Sequence, residues 1–213
     1  VLLTYNGLLS PTETLAESGG KVGHIAVRPD ADGMLRRIPL MIRAEGSIYP
    51  SLFLSMLASQ QQASTIIAKG SSADGSVIET VKVGAYEIPV DRDGEMQVVP
   101  HYIEKSLPGL PLTEVLEGMH DEQLLGSVIV LGPTATGLMD FHDTPAGLNV
   151  PGPALHTAAL KQIYAGEYVI RHDVIEGAEW FGALLLSVIC VVVAIKFGGV
   201  ASPVIFAVLI GSF

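Results

Sequence analysis

Cysteine is almost absent. Of 213 residues only Cys190 carries a thiol, and it lies inside an apolar run near the C-terminal end. The charged part of the chain therefore has neither a disulfide nor a thiolate metal site, a usage that suits a bacterial exterior or periplasm as well as a cytosol. Basic clusters are lacking too. Twelve Lys and Arg stand against 22 Asp and Glu, for a net charge of −10. So acidic a chain repels nucleic-acid phosphate and anionic lipid, which excludes nucleic acid as a partner. An initiating Met and a signal peptide are missing, and residues 1–4 (VLLT) read as a strand already under way. The expectation is a fragment without its N-terminal part.

Charge itself nearly disappears after Glu179. Residues 180–213 hold only Lys196, between uncharged runs of 16 and 17 residues. A span of a ~30 Å hydrocarbon core takes roughly 20 residues. With Ala178 added, Glu179 at the interface and Lys196 snorkelling, residues 178–196 are expected to be a transmembrane helix. Residues 197–213 are expected to be a second one, cut short, after a Lys-Phe-Gly-Gly turn. The Lys in that turn and the acids before the first span favour a cytoplasmic turn, with residues 1–177 outside. A buried hairpin of a soluble protein is the other reading of the two runs.

What is present upstream is an alternation of short strands and helices. Residues 22–28 (VGHIAVR) and 35–42 (LRRIPLMI) flank Pro-Asp-Ala-Asp-Gly and read as strand, turn, strand. Pro50 suits the first turn of a helix over 51–62. Residues 60–75 are polar and small, a loop or mobile insertion. Residues 77–83, 86–90 and 95–99 read as a meander, whose second turn repeats Asp-x-Asp-Gly at Asp91 to Gly94. Both copies place a proline six residues after the glycine, Pro39 and Pro100. This is one hairpin solution used twice. A short helix at 113–117 takes Thr113 as N-cap. The apolar run within 124–131 has the pattern of a strand buried on both faces. A helix over 151–165 is opened by Pro151 and closed by Gly166. Buried strand, glycine loop and later helix make an α/β domain.

Four features carry candidate chemistry. The Asp-x-Asp-Gly pairs (Asp30, Asp32, Gly33; Asp91, Asp93, Gly94) look like fragments of a calcium loop. An EF-hand needs more oxygen ligands and a distal Glu, and the position five after Asp30 is Leu35. Aspartates bonding turn amides is the plainer reading. The loop from Gly132 to Gly137 follows the expected buried strand and could cradle an anion or line a small-ligand pocket. It has no Lys after its second glycine, so it is not a P-loop. Asp140, His142, Asp143 and His156 gather near it and could bind a metal, shuttle protons or hydrogen-bond structurally. Their spacing matches no zinc motif, and there is no Gly-x-Ser-x-Gly elbow. Arg36 and Arg37 fall on opposite faces of a strand, one of them facing a carboxylate such as Asp30, Asp32 or Asp140.

Several short motifs follow one another in order. They are Gly23-His24, Pro29-Asp30-x-Asp32-Gly33, Arg36-Arg37-x-Pro39-Leu40 and Tyr49-Pro50-Ser51-Leu52. Later come Ile88-Pro89-x-Asp91, Asp93-Gly94, Val128 to Gly132, Thr134, Gly137, Asp140, Thr144-Pro145, Pro151-Gly152 and His156. Over residues 21–213 this order resembles the CHASE type 2 family, the cyclase- and histidine-kinase-associated sensory extracellular domains. The resemblance implies a bacterial receptor module with a membrane helix before it and commonly three after it. A cytoplasmic adenylate or guanylate cyclase, histidine kinase, serine/threonine kinase or diguanylate cyclase would then be its output. The chain departs from that pattern by lacking the first helix, the third following helix and an output domain. Where the family usually has Gly-Ala-Thr-Ala, Pro133 replaces the first alanine.

The expectation is thus an extracytoplasmic α/β sensory domain, a mixed sheet with flanking helices and β-hairpins, followed by transmembrane helices. It has no catalytic residues and no cofactor. Its partners are the lipid bilayer, an unknown extracytoplasmic cue and a second copy in a homodimer. Candidate cue-binding residues are Arg36, Arg37, Thr134, Thr136, Asp140, His142 and His156. The motif residues Gly23, His24, Asp30, Asp32, Gly33, Asp91, Gly94, Gly132, Pro151 and Gly152 are expected to be structural. The alternatives are a structural dimerisation module without a ligand, and an extracytoplasmic metal-assisted hydrolase built on Asp140, His142 and His156.

Overall fold

The structure is a computed structural model that describes residues 2–17, 20–70, 77–107, 109–134, 140–170 and 173–197. The chain divides into two units, residues 1–170 and 171–213. The first is mixed α/β. Its elements run β1 (Thr4–Tyr5), α1 (Glu13–Glu17), β2 (Arg37–Pro39), β3 (Met41–Ala44), β4 (Ser47–Pro50) and α2 (Leu52–Gln60). Then follow β5 (Ile66–Gly70), β6 (Ile78–Val83), β7 (Tyr86–Pro89), β8 (Glu95–Gln97), α3 (Pro100–Glu104), α4 (Leu112–Leu116) and α5 (Asp121–Leu124). The hairpin β9 (Phe141–Thr144) and β10 (Gly147–Pro151) leads into α6 (Gly152–Ala165).

In place of a single mixed sheet, the described residues form small separate sheets: β1-β3-β4, β2-β8, β5-β6-β7 and β9-β10. β1 is parallel to β3, and the other named pairs are antiparallel. α6 organises the core. It packs on α2, α3 and β10, and α2 packs on β6. Phe53, Leu54 and Leu57 of α2 meet Leu155, Ala158, Ala159 and Ile163 of α6 in one buried cluster with Ile38, Leu40, Val81 and Ile88. Apolar burial at this density, roughly 1.5–3 kcal/mol per large side chain, holds the small sheets together where their short ladders alone would not.

The two Asp-x-Asp-Gly turns are the same structure. Gly33 N–H donates to Asp30 O at 2.9 Å and Gly94 N–H to Asp91 O at 3.0 Å. One residue further, Asp30 N–H donates to Met34 O, and Asp91 N–H to Glu95 O. Aspartate side chains accept from turn amides as well: Asp32 from Met34 N–H, and Asp91 from Asp93 and Glu95 N–H. What differs from expectation is the first hairpin. Residues 22–28 form no strand, only an isolated parallel bridge of His24 to Ser51. β2 pairs instead with β8, Arg37 opposite Gln97 and Pro39 opposite Glu95. The outgoing arms of the two turns are therefore zipped to each other.

Other expectations need correction. Pro50 ends β4, and Ser51 is the true N-cap of α2, its hydroxyl accepting from Leu54 N–H. The polar segment after Gln60 contains β5, paired with β6. β8 leaves the expected meander for β2. Thr113 lies inside α4, whose N-cap is Pro111. The run within 124–131 is neither strand nor buried. Its first residue ends α5, Ile129 is 59 % and Leu131 74 % exposed, and it has no ladder partner among the described residues. α6 matches expectation, with Pro151 as N-cap and Gly166 closing it at φ 68°.

The second unit contains α7 (Asp173–Phe197). Among the described residues no helix is long and apolar enough to cross a membrane. The uncharged run between Glu179 and Lys196 has 16 residues. At ~1.5 Å per residue it covers about 24 Å of a ~30 Å core. The second expected span, 197–213, lies outside the described residues but for Phe197.

Candidate functional site

Three of the expected site residues come together at the start of α6, and a fourth, unexpected one joins them. Asp140 precedes β9, His142 sits on it, and His156 is one turn into α6. Pro151 offers α6 no side-chain cap. The Asp140 carboxylate lies against Gly152, the first residue of the helix. A Cβ built on Gly152 would lie 2.2 and 2.4 Å from its two oxygens. Only glycine admits a carboxylate this close. Gly152 N–H also donates to Asp140 O at 3.0 Å. A negative group here complements the positive end of the helix dipole. His142 Nε2 lies 3.3 Å from Asp140 Oδ1, so the carboxylate is shared between the helix start and an imidazole.

His156 is 5 % exposed, and its Nδ1 has no hydrogen-bond partner. Its ring lies 6.1 Å from that of Phe53, tilted by 34°. Burial pushes its pKa below the usual histidine value. The Asp140 charge opposes that shift, and His142 adds to it. The fourth member is His24. It is 9 % exposed, and neither ring nitrogen has a hydrogen-bond partner. Its pKa falls to about 4, first from burial and then from the neighbouring His156. The Ala26 backbone pulls weakly the other way, outside hydrogen-bond geometry. Both imidazoles are thus neutral at pH 7.

Backbone contacts explain how His24 gets there. His24 N–H donates to Pro50 O and Leu52 N–H donates to His24 O, both at 2.8 Å, while Ser55 Oγ donates to Val22 O at 3.0 Å. Gly23 makes the approach possible, since a Cβ there would stand 2.5 Å from Leu52 Cα. The sequence offered one signal for His24, its place in the Gly23-His24 motif, where it was expected to be structural. Its pairing with His156 depends on the parallel bridge and had no local signal.

Arg36 and Arg37 do not reach this cluster through Asp140. Both converge on Asp30, at 2.8 Å each, despite their adjacent positions. Arg36 also makes a second pair with Asp32 at 2.7 Å, and Arg37 a longer one with Asp91 at 3.5 Å. Arg28 ties Asp93 and Glu95 together at 2.7 and 3.1 Å. The two turns are thereby laced by arginines. Asp32 is held down to about 2 by Arg36 and the Met34 amide. Glu95, 2 % exposed with Oε1 unpartnered, moves the other way because burial disfavours its charge. These pairs fix the geometry of the turns, and as half-exposed ion pairs each is worth little.

Thr134 is exposed in the loop after Gly132, itself pressed against the Pro153 ring, and Thr136 and Gly137 lie outside the described residues. Among the described residues no group of three or more His, Cys, Asp or Glu side chains is arranged to hold a metal ion. What the cluster can do is hold or release protons and change its packing.

No curated protein and no solved structure matches the chain. Residues 6–195 match the family described as CHASE2 domain. With that match covering most of its length, the chain belongs to the CHASE2 family of sensory extracellular domains.

Proposed function

We propose that the chain is the extracytoplasmic sensory part of a bacterial transmembrane signalling protein. It would regulate a cytoplasmic output enzyme such as an adenylate or guanylate cyclase, a histidine kinase, a serine/threonine kinase or a diguanylate cyclase. The observation that carries this reading is the CHASE2 match over residues 6–195, which runs from the residue after β1 into α7. The buried polar cluster at the start of α6 supports it. Structures built only for stability seldom keep unpartnered polar atoms in their interior. A cue acts by binding the two arrangements of that cluster unequally. In this reading the protein works as a homodimer in the bilayer, and residues 178–213 belong to its membrane part.

The test uses the full-length protein in its own cells. With Cys190→Ser removing the native thiol, Glu122→Cys on the exposed α5 should react with a membrane-impermeant maleimide in intact spheroplasts. Labelling only after permeabilisation overturns the placement. His142→Gln, at a half-buried position, should change the basal output activity while circular dichroism stays native. Unchanged output with both Asp140→Asn and His142→Gln overturns the cluster as the sensing site.

A further inference from the structure

We propose that His24 and His156 form a proton-operated latch, in which protonation of His24 releases residues 20–24 from β4 and α2. This rests on the sensory reading above and names acid as the cue at the same site. The geometry comes first. Two imidazoles from distant parts of the chain are buried beside α2, His24 against the backbone of Leu52 and His156 against Phe53, with three ring nitrogens between them lacking partners. Neutral rings tolerate this. A charged ring does not, because burial strips the charge of water, and the backbone of Ala26, which favours the charged form, lies outside hydrogen-bond geometry.

The two rings are unequal in what surrounds them. His156 faces the Asp140 carboxylate and His142 from the β9 side, while α2 presents it with Phe53, which is uncharged. Its charge has a counter-ion. His24 faces His156 across the contact, and from β4 and α2 it receives backbone contacts of Pro50 and Leu52 and no carboxylate. Its charge has none. The attachments differ as well. His156 is built into a 14-residue helix at the centre of the core, whereas His24 sits on a segment outside any strand, held by one isolated bridge and the hydrogen bonds of Ser55 Oγ to Val22 O and of Lys21 Nζ to Ala63 O. Acid therefore expels His24 and leaves α6 in place.

The sign follows from linkage. The closed form holds the His24 pKa at about 4, below the ordinary 6.5. The contact is at full strength above pH 6.5 and is lost as pH falls from there towards 4. For this one group, the open-to-closed ratio rises about 20-fold between pH 7 and pH 5.

Hydrogen exchange of the 213-residue chain, corrected for intrinsic rates, reads this directly. The amides of His24 and Leu52 should open about 20-fold more often at pH 5 than at pH 7. The Ile163 amide, which opens only when α6 itself unfolds, should stay better protected than both at pH 5. His24→Gln should flatten the dependence to below about 3-fold, because nothing titrates there. Equal protection of wild-type His24 and Leu52 at both pH values overturns the latch. Should the variant not fold, the His24 Cε1 proton titration of the wild type decides, and a midpoint near 6.5 overturns it. In the full-length protein, output must follow external pH in the wild type and lose that dependence in His24→Gln. Acid opening with output flat in pH overturns acid as the cue. The sensory reading itself is judged separately, by the labelling and His142→Gln experiments.

Discussion

Gly152→Ala tests whether the Asp140 carboxylate is part of the helix start. A Cβ at this position would stand 2.2 Å from one carboxylate oxygen and 2.5 Å from Cγ, where ordinary contact begins near 3.4 Å. Something must move by more than 1 Å. The backbone is tied by the Gly152 N–H bond to Asp140 O, so the side chain is the part that yields. Swinging away, it loses His142 and its place at the positive end of α6. The half-buried His142 contact is worth about 1 kcal/mol, and the helix-end placement about 0.3–1 kcal/mol. Gly152→Ala should therefore cost about 1.5–2 kcal/mol. Asp140→Ala removes the same interactions and should cost about the same. The double variant should cost no more than either single one, since an alanine at 152 meets nothing once the carboxylate is gone. The resulting coupling is about 1.5 kcal/mol in a double-mutant cycle. Urea unfolding followed by far-UV circular dichroism gives the free energies. The fluorescence of Trp180 is unsuitable, because that residue lies in the second unit. Additivity within about 0.5 kcal/mol would refute the assignment of Asp140 to the helix start.

Two further outcomes follow from buried polar groups in the same unit. Gln162, fully buried on α6, accepts from Val99 N–H and donates to Gln97 O, both at 2.9 Å, clamping the β8–α3 junction. Gln162→Leu strands both backbone groups and should cost about 2–4 kcal/mol in urea unfolding; a loss below 1 kcal/mol would show that water replaces the clamp. Burial raises the folded pKa of Glu95 above its unfolded value, so its contribution is full below pH 4.5 and is lost as pH rises through the folded pKa. Glu95→Gln should therefore raise the unfolding midpoint at pH 7 and leave it unchanged at pH 4, and an equal effect at both pH values would remove burial of charge as the cause.

How much of this was legible in the sequence depends on the range of each signal. α2 and α6 were, because Pro50, Pro151 and Gly166 lie within one turn of the helix they flank, although the cap of α2 proved to be Ser51. The paired Asp-x-Asp-Gly turns were, because each is closed by its own residues. Strand partners were not. Turn chemistry favoured pairing 22–28 with 35–42, but the outgoing arms of two distant turns found each other, and residues 22–28 went to Ser51. The apolar run within 124–131 has the composition of a buried strand, yet composition cannot supply a partner. β9 and β10 escaped notice because the stretch from Phe141 to Pro151 is polar and broken by Pro145. For the site, Asp140, His142 and His156 were visible as residue types close in sequence. Arg36 and Arg37 were misplaced, since alternation along a strand puts them on opposite faces, whereas Arg36 precedes β2 and both converge on Asp30.

The two polar networks of the first unit answer to different physics, and this decides where a signal can arise. The arginine lacing of the turns is half exposed, contains more carboxylates than arginines, and is screened by salt. Removing any pair other than Arg28–Glu95, whose carboxylate is buried, changes little, because water takes its place. Such a network holds a shape and responds weakly to its surroundings. The histidine cluster is buried, so water cannot substitute for a missing partner, and a single proton changes the balance by a large factor. Its histidines come from parts of the chain far apart in sequence, His24 from the segment bonded to Pro50 and Leu52 and His156 from α6. A domain that must convert a small chemical event into a change of packing gains more from the second kind of site. The unpartnered nitrogens of His24 and His156, a defect by the measure of stability, are what make that conversion available.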